Sequence, residues 1–224
     1  MALLLSLETS TNVCSVALHQ DGKLLLDREI HIPQSHASKL APLIDEIIRV
    51  SDKKMNELTA VALASGPGSY TGLRIGTSTA KGLCYSLNIP LVTIGTLDIL
   101  AYQMNQTNQG RSLLCPMIDA RRMEVYCKVV DADLSTIQDV EAKVIDAESF
   151  RHILGKSKIL FFGDGAAKCR ELISHENAVF VENVYPAASS LGILADLKLK
   201  AGLVEDVVHF EPFYLKDFLI RKPV

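Results

Sequence analysis

A glycine-rich segment, residues 65–83 with the sequence SGPGSYTGLRIGTSTAKGL, has the composition of a loop that could hold a phosphate. It follows an apolar run and leads into a helical pattern, and the free N–H groups at a helix start can bind an anion. Neither standard phosphate motif is complete, because the segment lacks a Gly-Lys-Ser/Thr triplet and Thr71 replaces the third glycine of GxGxxG. Generic anion binding stays open as one interpretation of these glycines.

The same segment carries small residues at helical spacing, which is typical of close packing. Gly72, Gly76 and Ala80 are four residues apart and would share one helix face. That face could pack on the chain's own sheet or, with the apolar face of a helix over 36–50, form a subunit interface. The residues predicted for such an interface are Leu40, Leu43, Ile44, Ile47, Gly72, Gly76, Ala80 and Leu83. Periodicity alone leaves both interpretations open.

No arrangement of a nucleophile or of metal ligands stands out elsewhere in the sequence. It contains no GxSxG motif, and none of its six histidines pairs with another at HxxxH spacing. The five cysteines are an odd number without CxxC pairs, which argues against a zinc site and against a disulfide framework. We therefore expect reduced, mostly buried thiols in a cytoplasmic protein, and no serine or cysteine hydrolase chemistry.

Length and composition exclude several classes of protein. The chain of 224 residues is long enough for one large domain or two small ones. Its net charge of −3 gives no general attraction to nucleic acid, so contact with RNA is expected only locally or through a partner. No apolar stretch approaches the roughly 18 residues of a membrane span, and the opening MALLLSLETS reads as a buried strand rather than a signal peptide.

The first half of the sequence alternates between strand and helix patterns. Asp21-Gly22 between two apolar runs predicts a hairpin, because a type I′ turn needs positive φ at both positions. Apolar residues at three- and four-residue steps predict an amphipathic helix over 36–50, with Ser35 as its cap. The predicted order is β-β-β-α-β-α-β-α, with strands over 2–8, 13–18, 23–30, 58–64 and 91–94, a helix ending at 87, and a helix over 96–104 capped by Thr96.

A polar, turn-rich stretch over 105–112 marks a boundary between two lobes. We predict an N-terminal lobe over 1–105 and a smaller C-terminal lobe over 106–205, with a tail from about 206 to 224 packing back onto the body. The charged turn at Arg121-Arg122 in the second lobe has two explanations, tight hairpin geometry and substrate binding, and the sequence supports both equally. The elements predicted there are two strands joined around Arg121-Arg122, a strand over 158–162 and a helix over 189–199.

Three parts of the chain resemble one known family. They are the motif Leu7-Glu8-Thr9-Ser10 with the following VCSVAL, the glycine-rich segment, and PMIDARRMEVY. Their sequences, order and spacing are similar to those of the bacterial TsaB (YeaZ) family. The resemblance is strong from residue 3 to about residue 126 and continues weakly to EPFYLKDF near the end.

This resemblance implies an α/β chain with the two-lobed actin-like ATPase fold, also called ASKHA and similar to ribonuclease H. It also implies a role in tRNA processing, the formation of threonylcarbamoyladenosine next to the anticodon in tRNAs that read ANN codons. In that system the relative TsaD transfers the threonylcarbamoyl group and TsaE supplies ATPase function. The chain itself would be a non-catalytic scaffold that binds TsaD through N-lobe helices and forms a homodimer when alone. It would meet tRNA only through the complex and would have no membrane partner.

The resemblance also bears on ligands. TsaD carries an HxxxH metal pair, and Thr96 and Leu100 stand at the corresponding positions here. Leucine cannot bind a metal, so no metal site and no required cofactor are expected, and ATP or ADP would bind only weakly or in the complex. Actin-like ATPases often place an acidic residue near the phosphates at the position of Glu8. The nucleotide or anion cleft would comprise Glu8, Thr9, Ser10, Gly66, Gly68, Tyr70, Thr71 and Arg74.

A rival interpretation is a self-sufficient nucleotide-binding ATPase or small-molecule kinase of the same fold. Arg74 in the first turn of the glycine helix would then pair with a phosphate, although a partner carboxylate or plain exposure explains an arginine there equally well. Glu8 alone does not decide between the two, because a hydrogen bond to the following turn accounts for a lone carboxylate at a strand end.

Overall fold

The computed structural model of the chain describes residues 2–216 and contains two five-stranded sheets with helices packed on their faces. The strands are β1 (Leu3–Glu8), β2 (Cys14–Gln20), β3 (Lys23–Ile30), β4 (Ala60–Ala64), β5 (Leu91–Ile94), β6 (Leu113–Asp119), β7 (Glu124–Val130), β8 (Thr136–Val144), β9 (Ile159–Phe162) and β10 (Ala178–Val181). The helices are α1 (His36–Val50), α2 (Tyr70–Leu87), α3 (Thr96–Asn105), α4 (Arg151–Leu154) and α5 (Ala188–Lys200). The predicted order of the first eight elements is confirmed.

The first sheet has the strand order β3-β2-β1-β4-β5, with β1 antiparallel to β2 and parallel to β4. The predicted hairpin joins β2 to β3, and φ is +51° at Asp21 and +80° at Gly22, as its turn requires. Helices α1 and α2 pack on one face of the sheet, and α3 and α5 pack on the other. Because both faces are covered, every residue of β1 and β4 is buried.

The second sheet has the order β10-β9-β6-β7-β8, and the predicted hairpin joins β6 to β7 around Arg121-Arg122. Strands β6, β9 and β10 are parallel, so their carboxyl ends lie at the same edge. Helix α3 lies between the two sheets, because Ile99 packs into the core of the first lobe and Leu100 into that of the second. The lobes are therefore joined by shared apolar packing as well as by connecting chain.

The predicted lobe boundary needs one correction, which concerns α5. This helix lies within the range 106–205 assigned to the second lobe, yet it packs on the first sheet through Leu191 and Ala195. Gly192 makes the close approach possible, because a Cβ there would lie 2.2 Å from the ring of His19 on β2. Position along the chain gave no sign that the chain returns to the first sheet at this point.

Both predicted helix caps also differ in detail. Ser35 occupies the N-cap position of α1, but its side chain makes no cap hydrogen bond and instead donates to the Ile32 carbonyl. Gly95, rather than Thr96, is the N-cap residue of α3. All five cysteines are free and buried, as expected. Over the described range 2–216, no helix combines the length and apolar character needed to cross a bilayer.

Residues 205–216 run back along the first lobe. Glu205 forms a bridge with Leu91, and Lys81 of α2 donates to the carbonyl oxygens of Val208 and Phe210 at 2.9 and 3.1 Å. Val207 and Phe210 pack against the first core. The rest of the predicted tail, 217–224, lies outside the described residues.

Candidate functional site

A cleft of about 510 Å³ lies between the two lobes. Its first wall consists of the turn after β1 and the loop that starts α2, and its second wall consists of the β6–β7 hairpin and the loop after β9. The last described residues of the chain form its rim. The lining residues are Ser10, Thr11, Asn12, Pro67, Gly68, Ser69, Tyr70, Thr71, Ile118, Asp119, Ala120, Arg121, Tyr126, Asp164, Phe213, Tyr214, Leu215 and Lys216.

Glu8 ends β1 directly behind this turn and is completely buried. One carboxyl oxygen, Oε1, accepts a hydrogen bond of 2.6 Å from the Ser10 N–H, while Oε2 has no hydrogen-bond partner among residues 2–216. Removal from water disfavours the ionised carboxylate and raises the pKa of Glu8 to about 7. The group is therefore poised between its neutral and charged forms near physiological pH.

Gly68, just before α2, and Gly72, in its first turn, serve the contact between this helix and the turn after β1. A Cβ at Gly72 would lie 2.0 Å from the Thr9 carbonyl oxygen, and one at Gly68 would lie 2.3 Å from the Ser10 carbonyl oxygen. The Thr9 hydroxyl donates to the Gly72 carbonyl at 2.8 Å, and the Ser69 N–H donates to the Ser10 carbonyl at 2.6 Å. What approaches these glycines is thus another part of the same chain.

The partner interface expected at eight residues of α1 and α2 stays a prediction, and seven of the eight are buried within the chain itself. Leu40, Leu43, Ile44, Ile47, Gly72, Gly76 and Ala80 are all buried inside the first lobe. Leu83 is partly buried against the same core. The physical reason is that the apolar stripe of each helix is used to cover its own sheet.

The second wall of the cleft is organised around Lys168. Its ammonium group donates to the carboxylate of Asp119 and to the carbonyl oxygens of Arg122 and Glu124. These bonds hold the β6–β7 hairpin, whose turn residues have positive φ: 69° at Arg121 and 48° at Arg122. The charged turn is thus fixed in a conformation that unstrained arginines rarely adopt.

Asp164 follows Gly163 in the loop after β9 and faces the same hairpin. It accepts a hydrogen bond of 3.0 Å from the Asp119 N–H, and burial raises its pKa above the ordinary value. Asp164 also repels negative charge on Glu8, which contributes to the raised pKa there. The second wall therefore carries two carboxyl groups, Asp119 and Asp164, and the ammonium group of Lys168 beside them is already used by the hairpin.

The rim comes from the end of the described chain. The Phe213 N–H donates to the Ser65 carbonyl at 2.7 Å, and the ring of Tyr214 lies 4.8 Å from that of Tyr70. The Arg74 guanidinium lies over the other ring of this pair, 4.3 Å from the centroid of Tyr70. Arg74 is therefore engaged with an aromatic ring next to the loop.

The predicted cleft residues divide into three groups. Ser10, Gly68, Tyr70 and Thr71 line the cleft. Glu8 and Thr9 lie behind its wall in the core. Gly66 and Arg74 contact the tail or the aromatic pair rather than the cleft itself.

Sequence reasoning missed Asp164, Lys168 and the rim residues 213–216. Gly163-Asp164-Gly165 and EPFYLKDF were visible as motifs, but nothing in them indicated that they meet. Only the fold of the second lobe and the return of the tail bring them to one cleft.

The positions that correspond to the metal pair of TsaD lie on α3, away from open space. Thr96 and Leu100 are both completely buried, and Leu100 packs among Ile118 and Phe162 of the second lobe. Within residues 2–216 no three histidine, cysteine, aspartate or glutamate side chains are grouped so as to hold a metal ion.

A protein-family model and a curated relative each match most of this chain. The family described as "TsaD: tRNA N6-adenosine threonylcarbamoyltransferase" matches residues 31–222. A tRNA threonylcarbamoyladenosine biosynthesis protein TsaB from Escherichia coli (strain K12) is 29% identical over 222 residues, which cover 96% of this chain and 94% of the relative.

Two solved structures are similar to this chain in fold. YeaZ from Pseudomonas aeruginosa has a TM-score of 0.82 at 26% identity, covering 96% of this chain and 100% of that one. The activator of the 2-hydroxyisocaproyl-CoA dehydratase from Clostridium difficile, solved with bound ADPNP, has a TM-score of 0.53 at 8% identity, covering 89% and 96%. This second likeness concerns the fold alone, and it is the two-lobed actin-like ATPase fold.

Proposed function

This chain belongs to the TsaB (YeaZ) family, and on that premise we propose that it is the non-catalytic scaffold subunit that binds TsaD during threonylcarbamoyladenosine formation in tRNA. Its accessory role in this biosynthesis follows from the family. In the proposal, transfer of the threonylcarbamoyl group belongs to TsaD, TsaE joins the assembly, and tRNA meets this chain only through the complex. The chain works in the cytoplasm and forms a homodimer when TsaD is absent.

One observation carries the non-catalytic part of the proposal, namely the packing of α3. The helix face that would have to present two imidazoles is occupied by Thr96 and Leu100. Leu100 is fully buried in the core that joins the lobes, so this face serves stability. A single threonine hydroxyl cannot replace a pair of nitrogen ligands on one helix face.

The docking surface in this proposal is the outer side of the α1 and α2 layer, called here the α1–α2 surface. It consists of the exposed residues Ala37, Ala41 and Asp45 of α1 and Ser78, Gly82 and Tyr85 of α2. Small side chains allow a second pair of helices to approach closely, and no atom lies within 4 Å of a Cβ built at Gly82. Tyr85 is 84% exposed and supplies the large aromatic side chain that typically anchors an interface.

The proposal is tested by assembly with TsaD, measured by size exclusion with light scattering. The Gly82→Arg variant places a long charged side chain on the α1–α2 surface, where the monomer has room for it. We expect at least about a tenfold weaker complex and no loss of thermal stability in the isolated chain. Asp139→Arg, an exposed change on β8 of the other lobe, is the matched control and should bind TsaD normally.

An activity measurement completes this test. TsaD, TsaE, unmodified tRNA and threonylcarbamoyl-adenylate are combined with the wild-type chain, Gly82→Arg or Asp139→Arg. We expect product with the wild type and the control and little with Gly82→Arg. Product formed by the purified chain alone, or full activity with Gly82→Arg, would contradict the scaffold proposal.

We also propose that the chain requires no cofactor of its own and that ATP or ADP binds it only weakly or in the complex. Asp164 in the cleft lining accepts from a backbone N–H rather than from a cation, and its carboxylate opposes a polyphosphate because like charges repel at short range. Calorimetric titration of the purified chain with ATP and Mg²⁺ tests this. Tight binding with turnover that is lost in Glu8→Gln would instead support a self-sufficient ATPase or kinase.

A further inference from the structure

The end of the described chain crosses the cleft from one lobe to the other. Residues 205–216, called here the tail, first follow the edge of the first sheet, where Glu205 accepts a 2.6 Å hydrogen bond from the Thr93 hydroxyl. They then pass over α2, where Lys81 holds two of their carbonyl groups. Beyond Phe210 the tail leaves the first core and enters the mouth of the cleft.

The tail has an inner anchor on the first lobe, made of backbone atoms. The Phe213 N–H donates to the Ser65 carbonyl at 2.7 Å. The Phe213 carbonyl oxygen lies 2.7 Å from where a Cβ of Gly66 would stand, so only glycine admits the tail this closely. Gly66 has a φ of +107°, which other residues rarely adopt. Tyr214 then packs its ring against Tyr70.

Among the described residues, an ion pair forms the outer anchor of the tail on the second lobe. The Lys216 ammonium group contacts the carboxylate of Glu124 at the start of β7. Glu124 is held in place because its carbonyl oxygen accepts hydrogen bonds from Ala120 N–H and from Lys168. The Lys216 side chain is 47% exposed and that of Glu124 is 17% exposed, so solvent and salt reach the pair.

From the unequal strength of these two anchors we infer that the tail is a releasable strap that closes the cleft between the lobes. The inner anchor joins backbone atoms and persists when the salt concentration rises, whereas salt readily screens an accessible ion pair. Release of Lys216 detaches Leu215 and Lys216 from the second lobe, which uncouples the two walls and opens the Tyr214 ring, still stacked on Tyr70, to solvent. A molecule in the cleft contacts these rim side chains and favours the strap conformation that fits it, so occupancy of the cleft and opening of the strap are linked.

The chain contains no tryptophan, so a single reporter can be placed on the strap. In the Tyr214→Trp background, acrylamide quenching of the fluorescence measures how accessible the closed cleft is. We expect Glu124→Gln to raise the quenching constant at least about twofold, because the outer anchor is lost. Raising the salt concentration to about 0.5 M should do the same in the Tyr214→Trp parent and should add little in Glu124→Gln.

Two control variants make the result specific. Glu141→Gln removes a carboxylate from β8, where it pairs with Lys143 at 2.9 Å, and should leave the quenching constant unchanged. The exchanged pair Glu124→Lys with Lys216→Glu should restore the low quenching constant of the parent. Equal quenching in the parent and in Glu124→Gln, an equal rise in Glu141→Gln, or failure of the exchanged pair would each overturn the strap.

Hydrogen exchange on the chain without the tryptophan gives an independent measurement. Salt at about 0.5 M should speed amide exchange at Tyr214 and Leu215 severalfold while the Phe213 N–H, held by Ser65, stays protected. Uniform exchange along the whole tail at both salt concentrations would overturn the distinction between inner and outer anchors even if the reporter variant fails to fold.

Discussion

Glu8 illustrates how a single buried residue makes the stability of the chain depend on pH. Its carboxyl group is completely buried, and one of its two oxygens has no hydrogen-bond partner within the described part of the chain. In the unfolded chain the pKa of a glutamate is about 4.3, whereas in the folded chain burial raises it to about 7. Between these two values the folded state binds the proton that the unfolded state has released. The contribution of Glu8 to stability is therefore present at low pH and is lost as the pH rises through about 7.

Removing the charge at this position should flatten the pH dependence of stability. For the wild type we expect the Glu8 contribution to lower the free energy of unfolding by roughly 3 kcal/mol between about pH 5 and pH 8. In Glu8→Gln this fall should be absent, because the amide does not ionise and its oxygen still accepts from the Ser10 N–H. Urea unfolding followed by circular dichroism at several pH values measures the difference. Glu148→Gln, at an exposed site on the second lobe, is the control and should keep the wild-type slope. A Glu8→Gln profile parallel to that of the wild type would rule out burial of an ionising carboxyl.

Among the elements, α2 shows how glycines on one helix serve different purposes. A Cβ at Gly72 would lie 2.0 Å from the Thr9 carbonyl oxygen, so an alanine forces the backbone of the adjoining turn to move. A Cβ at Gly82 meets nothing within 4 Å, so an alanine there adds only its better helix propensity. The two positions lie on the same helix, and each serves as the control for the other.

We expect Gly72→Ala to lower the free energy of unfolding by about 2 kcal/mol and Gly82→Ala to raise it by up to about 1 kcal/mol. Chemical denaturation with a common slope for all three proteins measures both changes. If Gly72→Ala were as stable as the wild type, the close contact with the turn after β1 would be refuted.

The same elements explain how much of the fold could be predicted from the sequence. The hairpin at Asp21-Gly22 and α1 were predictable because turn chemistry and 3.6-residue periodicity are local signals. Strand β8, with the sequence TIQDVEAKV, was missed because it is an edge strand whose residues are mostly exposed or half-buried, so its alternation is weak. Strand β10 is only four residues long and half-buried throughout. The lobe to which α5 belongs depends on long-range packing, for which the sequence carries no local sign.

The residues of the candidate site were likewise predictable where the signal is local and unpredictable where the fold brings distant residues together. Ser10, Gly68, Tyr70 and Thr71 were found because they sit in compact motifs and do line the cleft. The exposed or buried state of the α1 and α2 faces could not be read from periodicity, since an apolar stripe looks the same whether it covers a sheet or a partner. Asp164 and Lys168 lie more than 40 residues beyond the hairpin that they contact, at separations of 45 and 49 residues from Asp119.

At the scale of the whole molecule, α3 decides whether the two lobes unfold together. Ile99 packs into the first core and Leu100 into the second, and Lys128 of β7 pairs with Asp98 of α3 at 2.6 Å. The Lys128 side chain is 11% exposed and that of Asp98 is 52% exposed, so this pair lies at the solvent edge of the seam between the lobes. Such continuous packing predicts one cooperative transition rather than two independent domains.

Leu100→Ala tests this coupling, because it leaves a cavity in the second core while sitting on the helix whose Ile99 packs into the first core. We expect a loss of about 2–5 kcal/mol in the free energy of unfolding, which is typical of a buried leucine truncated to alanine. Because the lobes share α3, amide protection should fall by a similar amount in β4 of the first lobe and β7 of the second, as measured by native-state hydrogen exchange. Leu197 of α5 is 61% exposed, so Leu197→Ala should change amide protection in neither lobe. Loss of protection confined to the second sheet would mean that the lobes unfold separately and that α3 belongs energetically to only one of them.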